Sequence, residues 1–211
     1  MLKPAPEVDL EETIAALGQP VGDIQKDRHD LQRYEAIIEA TSPQIVIETG
    51  TDTGASAAWF AEQPGIDYVL TVDIDPSRHQ AKYGNPKVVR FLSDSTEGPA
   101  VRAMLAFASS SARRVMVVLD SDHSYEHVKN EILLYSDIVT PGCYMVVEDG
   151  IFSLLPEDQQ RGYGGVLQAI EETLVNDPRF DRDEAMEQLF PITGCIAGFW
   201  RKVAWTNAVF G

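Results

Sequence analysis

Two apolar stretches of this sequence end abruptly in acidic residues. "VMVVLDSDH" places Asp120, Asp122 and His123 directly after an apolar run, and "YMVVEDG" ends a second run in Glu148 and Asp149. Such residues are either polar strand ends that face water or two tips that meet around a positive charge. Only the second arrangement can do chemistry, because converging carboxylates can hold a cation.

The apolar pattern predicts the sheet that would bring these tips together. Continuous Val/Ile/Leu runs that alternate with helical segments are typical of parallel strands buried on both faces. The predicted strands are 44–48, 68–73, 87–92, 115–120 and 144–149. The predicted helices are 9–18, 28–41, 53–63, 97–108, 124–139 and 165–177. This alternation indicates a doubly wound sheet, in which the carboxyl ends of the strands share one edge.

The C-terminal part predicts a change of strand direction. "MEQLF" (186–190) and "CIAGFWRKV" (195–203) look like strands joined by a linker too short for a parallel crossover, so an antiparallel hairpin is expected at one edge. The fold class is therefore α/β, a Rossmann-like sheet of about seven mostly parallel strands with helices on both faces. Residues 1–43 form a predicted N-terminal helical extension, 44–204 the Rossmann-like domain and 205–211 a tail, within one structural domain.

Composition excludes several classes of protein. The net charge of −16 argues against a nucleic-acid partner, which needs basic surface. Cys143 and Cys195 have no metal-site spacing and are interpreted as reduced thiols. The sequence shows neither a secretory h-region nor a run of 18 apolar residues, so we expect a cytoplasmic protein without membrane contact.

The first predicted βαβ unit contains a glycine-rich turn, "VIETGTDTGAS". Gly50 and Gly54 allow a tight turn and close approach of a ligand at a helix N-terminus. Asp73 ends the next strand, where an acid can accept hydrogen bonds from ribose hydroxyls. The alternative is a plain strand–helix turn followed by a polar strand end, but the joint spacing favours a nucleoside cofactor.

The kind of cofactor follows from the details of the turn. It lacks the G-x-G-x-x-G fingerprint of dinucleotide binding and the lysine of a P-loop. Glu48 lies just before the turn, where a carboxylate would repel a pyrophosphate but suits a positively charged cofactor. This favours S-adenosylmethionine over NAD.

At this point the sequence resembles the class I S-adenosylmethionine-dependent methyltransferases. Among them it is most similar to the cephalosporin hydroxylase family of antibiotic biosynthesis, which includes rhamnosyl-type sugar O-methyltransferases. The similar segments are "HDLQRYEAII", "DSDHSYEHVKNEI", "VVEDG" and "GGVLQAIEETLVNDPRFDRDEAMEQLFP". The resemblance extends over most of the chain.

The resemblance implies a set of site residues. Those expected to bind S-adenosylmethionine are Glu48, Gly50, Thr51, Gly54 and Ser56 around its methionine part, Asp73 on the ribose, Ser93 and Asp94 by the adenine, and Asp120. Related catechol-type enzymes bind a divalent metal at places that correspond here to Asp120, Glu148 and Asp149. The last pair is Glu–Asp rather than the Asp–Asn of the catechol enzymes, which agrees better with the cephalosporin hydroxylase branch.

Magnesium or another divalent cation would relieve the repulsion between three converging carboxylates. The alternative is an acidic rim that holds no ion. His123 follows Asp120 by three residues, where the catechol enzymes have a lysine base, so His123 and Asp120 are the expected catalytic residues. His123 could instead only cap the following helix or orient Asp120.

These features predict a metal-dependent O-methyltransferase acting on a hydroxyl of a small molecule, such as a sugar or natural product. The alternative is a non-catalytic S-adenosylmethionine-binding scaffold for a partner enzyme, and a nucleotide-dependent oxidoreductase is disfavoured by the missing fingerprint. The long stretch 150–165, which contains Tyr163, is either a lid over the acceptor or a surface loop. A homo-oligomer is expected.

Overall fold

The computed structural model describes residues 21–160 and 162–204, and their centre is a seven-stranded sheet. The strands are β1 (Ile45–Thr49), β2 (Tyr68–Asp73), β3 (Val88–Leu92), β4 (Val115–Leu119), β5 (Tyr144–Val147), β6 (Phe180–Arg182) and β7 (Phe199–Lys202). They lie in the order β3-β2-β1-β4-β5-β7-β6. The first five are parallel, and β7 is antiparallel to both β5 and β6. The predicted fold class is thereby confirmed.

Six α-helices surround this sheet in the described part of the chain. They are α1 (Arg28–Thr41), α2 (Ala55–Glu62), α3 (Gly98–Ser110), α4 (Tyr125–Tyr135), α5 (Val166–Glu172) and α6 (Glu184–Glu187). The predicted 165–177 helix is shorter than expected, because a 3₁₀ turn (Leu174–Asn176) follows α5. The predicted helix at 9–18 and the tail at 205–211 lie outside the described residues.

The two faces of the sheet form two hydrophobic cores, and alternate residues of each central strand enter opposite ones. Ile45 and Ile47 of β1 pack with α3, α4 and α5, whereas Val46 packs with α1 and α2. Because both faces are covered, β1, β4 and β5 are buried along their whole length. This explains the continuous apolar runs in the sequence.

The predicted strand at 186–190 is wrong. Asp183 accepts a hydrogen bond from the Met186 backbone and caps α6, and the sixth strand is Phe180–Arg182. The carbonyl groups of this segment are also engaged by one side chain of α1, the fully buried Arg33. Its guanidinium donates to four carbonyl oxygens, those of Met186, Glu187, Phe190 and Ile192. These four carbonyl oxygens are therefore engaged by Arg33 rather than by the backbone of a neighbouring strand.

The sheet order fixes where a ligand can bind. From β1 the chain continues to β2 and β3 on one side, whereas β4 leads to β5 on the other. Such a reversal opens a crevice beyond the carboxyl ends of the two central strands. Among the described residues, none of the helices has the length and apolar character needed to cross a membrane.

Candidate active site

The glycine turn after β1 is held tightly against the end of β4. Gly50 has φ +81°, and a Cβ atom there would lie 1.9 Å from the backbone oxygen of Asp120. Gly54 has φ +87° and precedes the first turn of α2. Only glycine fits at position 50, because any side chain would push β1 and β4 apart.

A cavity of about 820 Å³ opens at this edge of the sheet. Nine of the predicted site residues line it: Gly50, Thr51, Ser56, Asp73, Ser93, Asp94, Asp120, His123 and Asp149. The other three, Glu48, Gly54 and Glu148, do not line it. The structure thus brings the cofactor-binding and catalytic residues predicted from distant parts of the chain into one space.

Glu48 lies beneath the cavity and is fully buried. Its Oε2 accepts a hydrogen bond from the Thr71 hydroxyl at 3.0 Å, and Ser56 also bonds to the carboxylate. Its Oε1 has no hydrogen-bond partner among the described residues. Burial raises the pKa of Glu48 to about 7, although the charge of Lys26 opposes this.

Asp73 and Asp94 are oriented by local backbone groups at the other end of the cavity. Asp73 accepts hydrogen bonds from the backbone N–H groups of Asp52 and Asp75, each at 2.9 Å. Asp94 accepts from both the backbone N–H and the hydroxyl of Thr96, and these bonds lower its pKa. Both carboxylates are therefore fixed in place.

The ends of β4 and β5 do meet around a positive charge, and the chain itself supplies it. The Lys26 ammonium lies 2.5 Å from Asp120 Oδ2 and 2.6 Å from Glu148 Oε1, and its side chain is only 2% exposed. The Tyr34 hydroxyl donates to the same Glu148 oxygen at 2.6 Å. Lys26 belongs to the short segment that precedes α1 and passes over the cavity.

Charge and burial oppose each other in this cluster. Burial raises the pKa of Asp120 to about 6 and that of Glu148 to about 7, while Lys26 acts to lower both. Burial would lower the pKa of Lys26, but Asp120, Glu148 and Glu48 raise it well above its ordinary value. Lys26 is therefore protonated at neutral pH.

His123 forms a second ion pair in the same cavity. Its Nε2 lies 3.0 Å from Asp149 Oδ2 and 4.0 Å from Asp120 Oδ1. Burial acts to lower the pKa of His123, but Asp149, Asp120 and Glu148 raise it to about 9. Within the described residues, Asp120, His123 and Asp149 offer three possible metal-ligand atoms within 4.8 Å of one another.

The stretch after β5 adds aromatic side chains beside this ion pair. The Tyr163 ring lies 5.2 Å from that of His123 and 5.9 Å from that of Phe152. Tyr163 lines the cavity and is 45% exposed. An aromatic wall thus stands next to His123, while the alternatives of a lid and a surface loop both stay predictions.

Several contributors to the site were absent from the sequence-based prediction. Ser95 and Ser121 each lie within hydrogen-bond distance of His127 Nε2, and Ser121 also donates to the buried Glu131. Lys26 was missed as well, since "DIQKDRHD" reads as an ordinary polar segment before a helix. The one available signal was the convergence of carboxylates, which requires a cation from some source.

Comparison with known proteins assigns the family. A model described as rhamnosyl O-methyltransferase/CmcI matches residues 11–203. The chain belongs to this family. It is 31% identical over 181 residues to the rhamnosyl O-methyltransferase of Mycobacterium bovis, covering 82% of this chain and 73% of that protein. The rhamnosyl O-methyltransferase of Mycobacterium leprae is 30% identical over 182 residues, covering 82% and 78%.

Solved structures share the fold of this family member. A CmcI structure with Mg and SAM has a TM-score of 0.59 at 19% identity, covering 97% of this chain and 89% of that one. The MycE methyltransferase of the mycinamycin biosynthetic pathway, with Mg and SAH, has a TM-score of 0.55 at 13% identity, covering 98% and 58%. The resemblance to class I S-adenosylmethionine-dependent O-methyltransferases is confirmed.

Proposed function

We propose that this family member transfers a methyl group from S-adenosylmethionine to a hydroxyl of a small molecule, a sugar or a natural product. One observation supports this above all others. A single cavity joins Asp73 and the glycine turn to His123 and Asp149. Its volume of about 820 Å³ lies within the range of small-molecule sites. A cofactor and an acceptor could therefore meet within it.

The cofactor end of the cavity suits S-adenosylmethionine. When bound, the cofactor supplies a methyl carbon activated by the neighbouring sulfonium. Gly50 lets the turn pack against Asp120 at the cavity edge, and Asp73 stands where ribose hydroxyls would donate. Glu48 contributes a buried carboxyl group beneath the turn, with one oxygen that has no partner among the described residues. A cationic ligand would stabilise the charged form of Glu48, whereas a pyrophosphate would be repelled by it.

At the acceptor end, His123 is the residue proposed to accept the hydroxyl proton at Nε2. In the ion pair with Asp149 its pKa of about 9 keeps it protonated at neutral pH. Added positive charge near Asp120 and Asp149 would lower that pKa. We therefore propose that His123 releases its proton to solvent when the sulfonium of the cofactor enters the cavity and then acts as a base. Asp149, at 3.0 Å, is the carboxylate that orients it, and Asp120 adds negative charge at 4.0 Å.

A divalent cation fits this site only in part. Asp120, His123 and Asp149 have ligand atoms close enough to hold one, and carboxylate oxygens suit Mg²⁺. The predicted set of Asp120, Glu148 and Asp149 does not fit while Lys26 occupies the space between the first two. Metal dependence remains a proposal, and the proton transfer proposed for His123 does not rely on it.

The charge of the cavity limits the acceptor. Its lining contains seven aspartates, and its basic residues other than histidine are Lys26 and Arg78. An anionic acceptor would be repelled, whereas the hydroxyls of a neutral sugar can donate to carboxylates. Tyr163 provides an aromatic surface beside His123. These features support a neutral, hydroxyl-rich acceptor.

Cofactor binding can be tested by calorimetry with S-adenosylmethionine, using NAD as the control ligand. Asp73→Ala should weaken S-adenosylmethionine binding by about tenfold to a hundredfold, because charge-assisted hydrogen bonds are lost. Asp75→Ala is the matched control, since Asp75 is exposed and lies two residues further along. No binding by the unaltered protein would refute the proposed cofactor.

Methyl transfer can be tested with labelled S-adenosylmethionine and a panel of neutral sugar glycosides. Asp120→Asn should abolish transfer, whereas Asp122→Asn should retain it, because the Asp122 carboxylate accepts from the backbone N–H of Ser124 and the Asp120 carboxylate pairs with Lys26. S-adenosylmethionine binding without transfer to any acceptor would favour the predicted scaffold role. The cytoplasmic location and the homo-oligomer remain predictions.

A further inference from the structure

The segment before α1 places a lysine where the proposed divalent cation would have to bind. Lys26 lies at 2.5 Å and 2.6 Å from carboxylate oxygens of two neighbouring strands. We infer that Lys26 and a divalent cation are alternative occupants of the Asp120–Glu148 pair. This inference rests on the divalent-cation part of the proposed function. It adds that the ammonium group of Lys26 competes with the cation for the carboxylates of Asp120 and Glu148.

The hydrogen bonds of the pair support competition. Glu148 Oε1 accepts from both Lys26 and Tyr34, and Asp120 Oδ2 accepts from Lys26. A cation that used both carboxylates would have to replace the ammonium. The ammonium contacts both oxygens, at 2.5 Å and 2.6 Å, so there is no room for a second cation between them.

The charge balance leaves the site attractive to a further cation. Three carboxylates, those of Asp120, Glu148 and Asp149, face two basic side chains, Lys26 and His123. The carboxylates thus outnumber the basic side chains in this cluster. Exchange of the ammonium for a divalent ion would add one positive charge and favour the charged form of all three carboxylates.

Within residues 21–160 and 162–204, the segment that carries Lys26 has few buried contacts to hold it. Its end is fixed by Asp27, whose side chain accepts from the backbone of His29 and caps α1. Further from the helix, Asp23 bonds to Lys82 and Tyr83 at the surface. Lys26 is the one buried residue among 21–27. The segment can therefore release Lys26 without disrupting a hydrophobic core.

The test measures Mn²⁺ binding to the full chain by electron paramagnetic resonance, together with Mg²⁺ calorimetry. Lys26→Met should bind Mn²⁺ at least about tenfold more tightly than the unaltered protein. Lys26→Arg keeps the cation and should behave like the unaltered protein. Lys87→Met is the matched control, because Lys87 is exposed and lies away from the cavity lining.

A double variant tests whether the Glu148 carboxylate binds the Mn²⁺ ion. Glu148→Gln combined with Lys26→Met should remove the gain in Mn²⁺ affinity. Equal or weaker Mn²⁺ binding by Lys26→Met, or a gain that persists without the Glu148 carboxylate, would overturn the inference. A structural defect alone would weaken binding and could not produce a gain.

The unaltered protein offers an independent measurement in case Lys26→Met fails to fold. Hydrogen exchange of residues 21–27 should become faster when Mn²⁺ is added, because the displaced lysine releases the segment. Unchanged exchange at saturating Mn²⁺ would contradict the competition. S-adenosylmethionine binding, measured on the same samples, reports separately on the proposed function.

Discussion

Each carboxylate at the tips of β4 and β5 is held by a different set of partners. Asp120 contacts Lys26, Glu148 contacts Lys26 and Tyr34, and Asp149 contacts His123. The burial of these groups makes every partner important, since an unpaired buried charge is costly. The cluster therefore affects both stability and chemistry.

His123→Gln should reveal the ion pair with Asp149 through a pH-dependent loss of stability. The pKa of His123 is raised from 6.5 to about 9 on folding, so its stabilising effect is complete below pH 6.5 and disappears as pH rises through 9. The difference in unfolding free energy between the two proteins should reach about 3 kcal/mol at pH 6.

Urea unfolding at pH 6, 7.5 and 9.5 provides the measurement. The difference between His123→Gln and the unaltered protein should shrink steadily across this range. A difference that is the same at all three pH values would show that His123 is not raised in pKa by its neighbours.

At the residue scale the sequence predicted the acidic members of the site but not their main counter-charge. Asp120, His123 and Asp149 follow predicted strands, so the sheet edge alone brings them together. Lys26 precedes the first helix and reaches the site through the tertiary path of its segment. No local pattern carries that information.

Among the structural elements, the β1–α2 turn most directly links fold and site. It supplies the floor of the cofactor end and touches the end of β4 through Gly50. The close approach of the two strands depends on the absence of a side chain. The turn thus sets the distance between the ends of β1 and β4, where the cavity opens.

Gly50→Ala should be more harmful than an alanine at another glycine of the same conformation. Gly50 and Gly65 both have φ +81°, but a Cβ at Gly65 would meet nothing within 4 Å. Gly65→Ala should cost about 1–2 kcal/mol from backbone strain alone. Gly50→Ala should cost at least about 1–3 kcal/mol more, because β1 and β4 must separate.

Thermal or urea unfolding compares the two variants, and calorimetry with S-adenosylmethionine follows binding. Gly65→Ala should bind the cofactor normally, while Gly50→Ala should not. Equal free energies of unfolding for the two variants would mean that the close contact between Gly50 and Asp120 does not add to the cost of the alanine.

The elements themselves were predictable to different degrees. The central strands β1, β2, β4 and β5 were predicted correctly because continuous apolar runs follow from burial on both faces. The edge strand β3 was also predicted from its apolar run, although it is partly exposed. The segment 186–190 was misread because its apolar residues suit a strand, whereas Asp183 and Arg33 impose a capped helix and a loop. Arg33 acts over more than 150 residues of sequence, which a local pattern cannot reveal.

Arg33 connects α1 to the segment 186–192, which precedes β7 along the chain. The same helix contributes Asp30, which pairs with Arg33 and accepts from the Thr193 hydroxyl and the Gly194 backbone. Tyr34, also on α1, reaches Glu148. One helix thereby organises the C-terminal segment and the active-site edge together.

Arg33→Met should destabilise the whole fold by about 3–5 kcal/mol, because the buried Asp30 loses its cation and four carbonyl groups lose the hydrogen bonds from the guanidinium. Arg28→Met at the start of the same helix is the control, since Arg28 is exposed and should cost no more than about 0.5 kcal/mol. Urea unfolding of both variants tests this. Similar free energies of unfolding for Arg33→Met and Arg28→Met would show that Arg33 does not stabilise the fold by holding the C-terminal segment to α1.

The position of β7 has a consequence for biosynthesis. This strand is the last of the seven along the chain, yet it lies between β5 and β6. While the polypeptide emerges from the ribosome, β5 remains an open apolar edge and β6 has no partner until residues 199–202 are available. Nascent chains at that stage expose a template for intermolecular pairing. Chaperone demand should therefore peak just before the sheet closes.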